Sequence, residues 1–217
     1  MNLTLYAHPF SSYCQKVLIA LWENETPFIY RHLQEPGAGE ELKALWPLDR
    51  FPVLVDEGRA VVESSIIIEH LELHHTGPVR LLPEDRNAAL EARFMDRFFD
   101  NYVMTPMQKP VFEALRAEHG RKEEAMAEAR LALDTAYAWL EKRLDGRTWA
   151  TGEVFTMADC AAAPSLFYAD WVHQIGSVFP LLRKYRSRLL ARPSFARAVE
   201  EARPYRANFP LGAPESD

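Results

Sequence analysis

The sequence predicts a small α/β module followed by an all-helical part, and three observations lead there. Apolar side chains alternate with polar ones from Leu3 to Ala7, then recur at helical spacing from Val17 to Leu21, so a strand runs into a helix. A second strand-like run, Phe28-Ile29-Tyr30, comes after that helix, and a crossover of this kind favours parallel pairing. Beyond about residue 77 the strand pattern stops and only amphipathic helical runs remain.

In the first strand Leu3, Leu5 and Ala7 alternate with Thr4 and Tyr6. Ala7-His8-Pro9-Phe10 is a loop broken by Pro9. The first helix runs from Ser12 to about Glu25 and stops before Pro27. Phe28 to Tyr30, with Leu33, forms the second strand. Gln34 to Gly39 is a loop. Its Gly37-Ala38-Gly39 opens like a dinucleotide fingerprint, but Leu42 fills the last glycine slot and the pattern fails. Glu40 to Trp46 is at most a short helix. Phe51 to Val55 is a strand with a proline near its start, Asp56-Glu57-Gly58 supplies a turn, and Ala60 to Val62 completes a hairpin. Glu63-Ser64 leads into a helix from Ser65 to Leu71 that ends before Gly77-Pro78. Residues 1–76 therefore read β-α-β-α-β-β-α.

Residues 77–86, carrying Pro78 and Pro83, are the linker, and residues 87–217 form the helical part. Its helices are Asn87 to about Tyr102, Arg121 to Leu144, Phe155 to Val172, Pro180 to Ala191 and Pro193 to Ala202. Pro106 and Pro110 are expected to kink or split the stretch after Tyr102. Thr156-Met157-Ala158-Asp159 is an Asp version of the capping box, and replacing Asp159 is expected to cost about 1 kcal/mol or more. The stretch from Pro204 is expected to pack on the surface, and Gly212 to Asp217 to be loose.

Composition narrows the function classes. With 217 residues, 48% apolar and 26% charged, the chain fills an ordinary globular core. A formal net charge of −6 argues against a nucleic-acid partner. Two cysteines, Cys14 and Cys160, make no disulfide framework and suit a reducing compartment. No signal peptide and no membrane span is visible, so the expected location is the cytoplasm.

The chemistry concentrates in Ser11-Ser12-Tyr13-Cys14-Gln15-Lys16, where a strand and tight loop open a helix. A helix start has unpaired N–H groups and a partial positive charge, so it stabilises an anion. A serine there is either a cap or a donor aimed at that anion. Two other signals are discounted. His70, His74 and His75 lack the His-Glu-x-x-His pattern and sit where cationic residues favour a helix end, so no metal is expected. Arg183, Lys184, Arg186, Arg188 and Arg192 read as a solvated helix face.

Phe51-Pro52-Val53, Glu63-Ser64 ahead of Ile67 and His70-Leu71, and Thr156 to Asp159 occur in an order and spacing that resemble a cytosolic glutathione S-transferase over nearly the whole chain. The resemblance implies a thioredoxin-like N-terminal domain and an all-α C-terminal domain. Ser11 and Cys14 occupy the slots of the thioredoxin-like Cys-x-x-Cys loop, as in serine-type, zeta-like members, although Tyr13 stands where those members carry a cysteine.

The same resemblance implies glutathione as co-substrate, a hydrophobic electrophile and a homodimer. Glu63 would pair with the glutathione ammonium, or be a solvated carboxylate, and Ser64 would hold the γ-glutamyl carboxylate, cap its helix, or both. Pro52 resembles the family's cis-proline, which turns Val53 toward the cysteinyl backbone; Arg50 would hold the glycine carboxylate or be a surface charge. His32 and Gln34 are further candidates. Ser11 would donate to the thiolate, with Ser12 its chief rival and Tyr6 a second. A free thiol has a pKa of about 8.5, and lowering it by about two units takes about 2.7 kcal/mol, within reach of one such bond and a helix end. Phe10, Tyr13, Tyr102, Met104, Met107, Phe112, Tyr168 and Trp171 are the candidate lining of the electrophile site. The alternatives are a non-catalytic relative that binds partners, as stringent-starvation-type regulators do, and a thiol oxidoreductase or peroxidase using Cys14.

Overall fold

A computed structural model describes residues 3–116, 121–215 and 217. The first module runs β1 (Leu3–Ala7), α1 (Ser12–Glu23), β2 (Ile29–His32), α2 (Ala38–Leu45), β3 (Val53–Asp56), β4 (Arg59–Val62) and α3 (Ser64–His74). The sheet order is β2-β1-β3-β4. β1 and β2 are parallel, with Leu5 opposite Tyr30, as a crossover through α1 requires. β3 is antiparallel to both neighbours, with Leu54 between Leu5 and Val61. Glu57 and Gly58 both take positive φ, 48° and 84°, the conformation a two-residue hairpin turn demands.

The helical part runs α4 (Arg86–Phe98), α5 (Thr105–Leu115), α6 (Lys122–Arg143), α7 (Met157–Val172), α8 (Pro180–Leu190) and α9 (Pro193–Ala202). A π-helical turn, Phe99–Met104, joins α4 to α5 without a loop, and a 3₁₀ turn, Arg203–Asn208, comes after α9. The expected break near Pro106 is this wide turn, in which the Thr105 N–H reaches Asp100 O five residues back, and the Thr105 hydroxyl also donates to that carbonyl at 2.9 Å. Pro110 then sits inside α5. No helix among the described residues is long and apolar enough to cross a membrane.

α1 organises the packing. Every residue from Cys14 to Leu21 is buried, so the helix is covered all round. Val17, Leu18 and Leu21 join Leu3, Leu5, Leu54 and Ile67 in a core under the sheet. Ile19 and Ala20, with Ile68 of α3, belong instead to the core of the helical part, beside Met95, Phe99 and Leu166. Consecutive residues of one helix thus serve two cores.

A buried charge network closes the same contact. Lys16 of α1 is 1% exposed and lies 2.6 Å from Asp96 Oδ1, 2.8 Å from Asp100 Oδ2 and 2.8 Å from Ser65 Oγ. Arg97 pairs with Asp96 at 2.8 Å and Asp100 at 2.5 Å from the solvent side, so two cations face two carboxylates. Burial pushes the Asp100 carboxyl up, against the pull of Lys16. A second tie links Arg192, ahead of α9, to Glu23 at the end of α1, at 2.5 Å. The basic run is therefore not simply solvated: Arg192 makes this tie and Arg186 pairs with Asp170 at 3.0 Å.

The capping box forms, and Asp159 does more than cap. Its Oδ2 accepts from Thr156 N–H at 2.9 Å, while Oδ1 accepts from Ala150 N–H at 2.9 Å and Tyr185 O–H at 2.6 Å. Burial pushes this carboxyl up to about 6 from 3.8, against the pull of those donors.

Each of these two clusters carries expected outcomes. Lys16→Met leaves two carboxylates facing each other in the interior and destabilises by about 3–5 kcal/mol in denaturant titrations at neutral pH. That deficit shrinks as falling pH protonates the carboxylates. Asp159→Ala strands three buried donors and costs at least about 3 kcal/mol. A carboxyl whose folded pKa is raised contributes stability that is full below its unfolded value, 3.8, and lost as pH rises through about 6. The advantage of the native protein over Asp159→Asn is therefore expected to narrow across that window in parallel denaturant titrations.

Candidate functional site

A cleft of about 780 Å³ opens between the two parts of the chain. Its floor is the loop from β1 to α1. Ser11 precedes α1 in extended conformation, and its Oγ accepts from the Cys14 N–H at 3.4 Å. The cap uses a lone pair and leaves the hydroxyl proton free to be donated. Ser12 is the first helical residue, and its hydroxyl makes no hydrogen bond among the described residues. Both serines line the cleft.

The loop is held from behind. The Gln15 amide donates to Pro9 O at 2.8 Å and to Tyr168 Oη at 3.1 Å, and the Tyr168 hydroxyl donates to Phe10 O at 3.1 Å. The Phe10 and Tyr168 rings meet edge to face at 5.5 Å. Cys14 is wholly buried, accepts from His8 N–H, and burial pushes its thiol up to about 12. A thiol so placed carries little thiolate, which disfavours the redox use of Cys14. His8 lines the cleft, and burial, then the neighbouring His32, holds its imidazole below the ordinary value. Burial, then Asp100, pushes the Tyr13 hydroxyl up to about 12.

The second wall is the start of β3 and of α3. The Phe51–Pro52 peptide is cis, and Arg50, Phe51 and Pro52 face the cleft with Trp46 and Asp49. Glu63 is held at φ 68°, a left-handed conformation that a glutamate adopts only under constraint. It occupies the N-cap position of α3 without providing a side-chain cap, and Ser64 is the first helical residue, so Ser64 does not cap its own helix. The free N–H groups of α3 therefore open beside Glu63 and Ser64, both of which line the cleft.

The helical part supplies Met107, Val111, Phe112, Leu115 and Tyr168 as an apolar side, and Arg97, Asp100, Asn101 and Gln108 as a polar one. Asn208, Phe209 and Pro210 close the rim. That rim is anchored on the first module, because the Tyr205 hydroxyl lies 3.2 Å from His32 Nε2 and 3.2 Å from Gln34 Oε1. His32 and Gln34 thus hold the C-terminal stretch, which packs on the surface as expected and buries Phe209.

Five expected residues lie elsewhere. Val53 is fully buried, flanked by Tyr6 and Val62 in the interior of the sheet, so its backbone is not at an edge; Phe51, in the cis peptide, faces the cleft instead. Met104 is buried in the helical core, Tyr102 is 58% exposed beside Phe98 and outside the cleft, and Trp171 stands behind Phe10 and Tyr168 against Phe209. Met104 ends the π turn inside the core, whereas Met107, one turn on in α5, reaches both that core and the cleft. The Tyr6 hydroxyl donates to Glu41 at 3.0 Å, away from the cleft.

Residues 5–79 match the family described as glutathione S-transferase, N-terminal domain, and residues 103–193 match glutathione S-transferase, C-terminal domain. FtsZ-localized protein A of Caulobacter vibrioides (strain NA1000 / CB15N) is 29% identical over 202 residues, covering 88% of each chain. A probable maleylacetoacetate isomerase of Vibrio cholerae is 29% identical over 217 residues, covering 94% of this chain and 98% of that one. A glutathione S-transferase of Methylobacterium radiotolerans, solved in complex with glutathione sulfonate, shares 32% identity and a TM-score of 0.78 over 92% of this chain and 95% of that one. With both halves matched and a cleft built on the same module pair, the chain belongs to the glutathione S-transferase family.

Proposed function

We propose that the protein is a glutathione transferase that binds glutathione along the first module and activates its thiol for attack on a hydrophobic electrophile. One observation carries the reading: two helix N-termini, those of α1 and α3, open onto one cleft, each with serine hydroxyls beside free N–H groups. Activated glutathione has three anionic centres, and two of them, the γ-glutamyl carboxylate and the thiolate, fall to the two helix starts. Each helix start stabilises one of them. Glu63 then pairs with the ammonium beside the γ-glutamyl carboxylate at Ser64, and Arg50 with the glycine carboxylate. Pro52 and Phe51 present backbone to the cysteinyl unit.

In this reading Ser11 donates its proton to the sulfur while its lone pair keeps the Cys14 N–H. The sulfur then attacks the electrophilic carbon, the leaving group or π-electron pair departs from that carbon, and the thiol proton has already gone to solvent. The apolar side, Phe10, Tyr13, Met107, Val111, Phe112 and Leu115, receives the electrophile. Exposed Phe94 and Tyr102 on the outer face of α4 and its π turn suit the homodimer that the family resemblance implies. A second reading, a glutathione S-transferase-fold protein that binds a protein partner without catalysis, is favoured by the similarity to FtsZ-localized protein A, which is as close as that to the isomerase.

Ultraviolet titration of bound glutathione is expected to place its thiol about two units below the free value of about 8.5. Ser11→Ala is expected to restore the free value and lower kcat/KM for an aromatic electrophile by about a hundredfold. Ser12→Ala is expected to change neither. An unshifted thiol in the native protein, or full activity in Ser11→Ala, rejects the role. Glu63→Gln is expected to weaken glutathione binding about tenfold in calorimetry, or about 1.4 kcal/mol, without moving the thiol titration of the bound fraction. Failure to bind glutathione at all selects the second reading.

A further inference from the structure

The opposite end of α3 carries a different chemistry. His70 lies in its last turns, and Asp56 ends β3 just before the hairpin turn. His70 Nε2 lies 2.8 Å from Asp56 Oδ2, and His75 Nε2 lies 2.7 Å from the same oxygen. On an unbroken helix His74 would be the residue to share a face with His70. His75 takes its place because it is the C-cap: its backbone leaves the helix at φ −137°, ψ 47°, while its N–H still bonds Leu71 O at 2.8 Å. The departure swings its imidazole round to the sheet. The three side chains are 13%, 13% and 9% exposed, so they face one another in a shielded corner.

We propose that Asp56, His70 and His75 form a binding site for a divalent first-row transition metal ion, with zinc the best match. One ligand atom from each lies within 4.8 Å of the other two. Zinc takes imidazole nitrogen and carboxylate oxygen at about 2.0–2.2 Å, which holds neighbouring ligand atoms about 3.3 Å apart. The two N···O contacts reach that spacing by opening about half an ångström, and the two imidazole nitrogens, within 4.8 Å of each other, reach it by side-chain rotation. Two imidazoles and one carboxylate select zinc, cobalt, nickel or copper over magnesium and calcium, which take oxygen. Three protein ligands leave a position for water.

The site is remote from the cleft. Ser64 and His75 stand at the two ends of α3, about 16 Å apart along the helix axis. An ion there would tie the β3–β4 turn to the end of α3 and would act on stability and not on the thiol. Each ring would bind through an Nε2 that has given up its proton.

The test uses the full chain, stripped with a chelator and kept free of glutathione, whose thiol would compete for metal. Cobalt(II) titration at mildly alkaline pH is expected to give visible d–d absorption saturating at one ion per chain. Zinc is expected to abolish that absorption by displacement and to raise the thermal midpoint. Asp56→Asn and His75→Ala are each expected to weaken both effects at least about tenfold, the least that losing even an outer-shell partner costs. His74→Ala is expected to retain them. Circular dichroism confirms that each variant is folded, and His70→Asn replaces either one that is not. Absence of a cobalt spectrum in the native chain overturns the proposal, as does undiminished binding in a folded Asp56→Asn or His75→Ala protein.

Discussion

The cleft exists because α1 is gripped from both sides, and the interaction that fixes its grip is the pairing of Lys16 with Asp96 and Asp100. Apolar packing of Ile19, Ala20 and Ile68 supplies the larger attraction between the modules but is tolerant of sliding. A desolvated cation between two carboxylates is not, since its energy depends steeply on geometry. Arg97 brings the count of charges to neutrality and itself lines the cleft with Asp100. The residues that weld the two parts are thus also residues of the site they create.

That docking decides what the serines see. The first turn of α1 is aimed by the β1–α1 loop, and the loop is aimed by Gln15 and Tyr168, one from each module. Tyr168 lies on α7, whose start is anchored by the Asp159 hydrogen-bond cluster. An unbroken chain of packed and hydrogen-bonded groups therefore runs from the capping box to the loop carrying Ser11. Mutations in the helical part can therefore reach the Ser11 loop without lining the cleft.

Much of this was legible in the residues. Asp56-Glu57-Gly58 announced its hairpin, since the turn needs positive φ and glycine provides it. Ser11 could be placed at a helix mouth, and Thr156 with Asp159 at a capping box, because both are local patterns. The cis geometry at Pro52 came from family resemblance and not from local preference. What stayed hidden was non-local or phase-shifting. The π turn ends with Met104 in the core while Met107 lines the cleft as expected, the helix end substitutes His75 for His74, and the partner Asp56 is a strand residue that no helical spacing points to. The rim at Asn208 to Pro210 depends on Tyr205 finding His32, far apart in sequence.

That last contact has a consequence for how the cleft is completed. The first module carries most of the polar groups around the cleft, yet part of the rim comes from Asn208 to Pro210, far away in sequence. None of these belongs to the sheet, so forming the sheet does not by itself enclose the pocket. Enclosure comes when the strap around Tyr205 and Phe209 docks on His32 and Gln34.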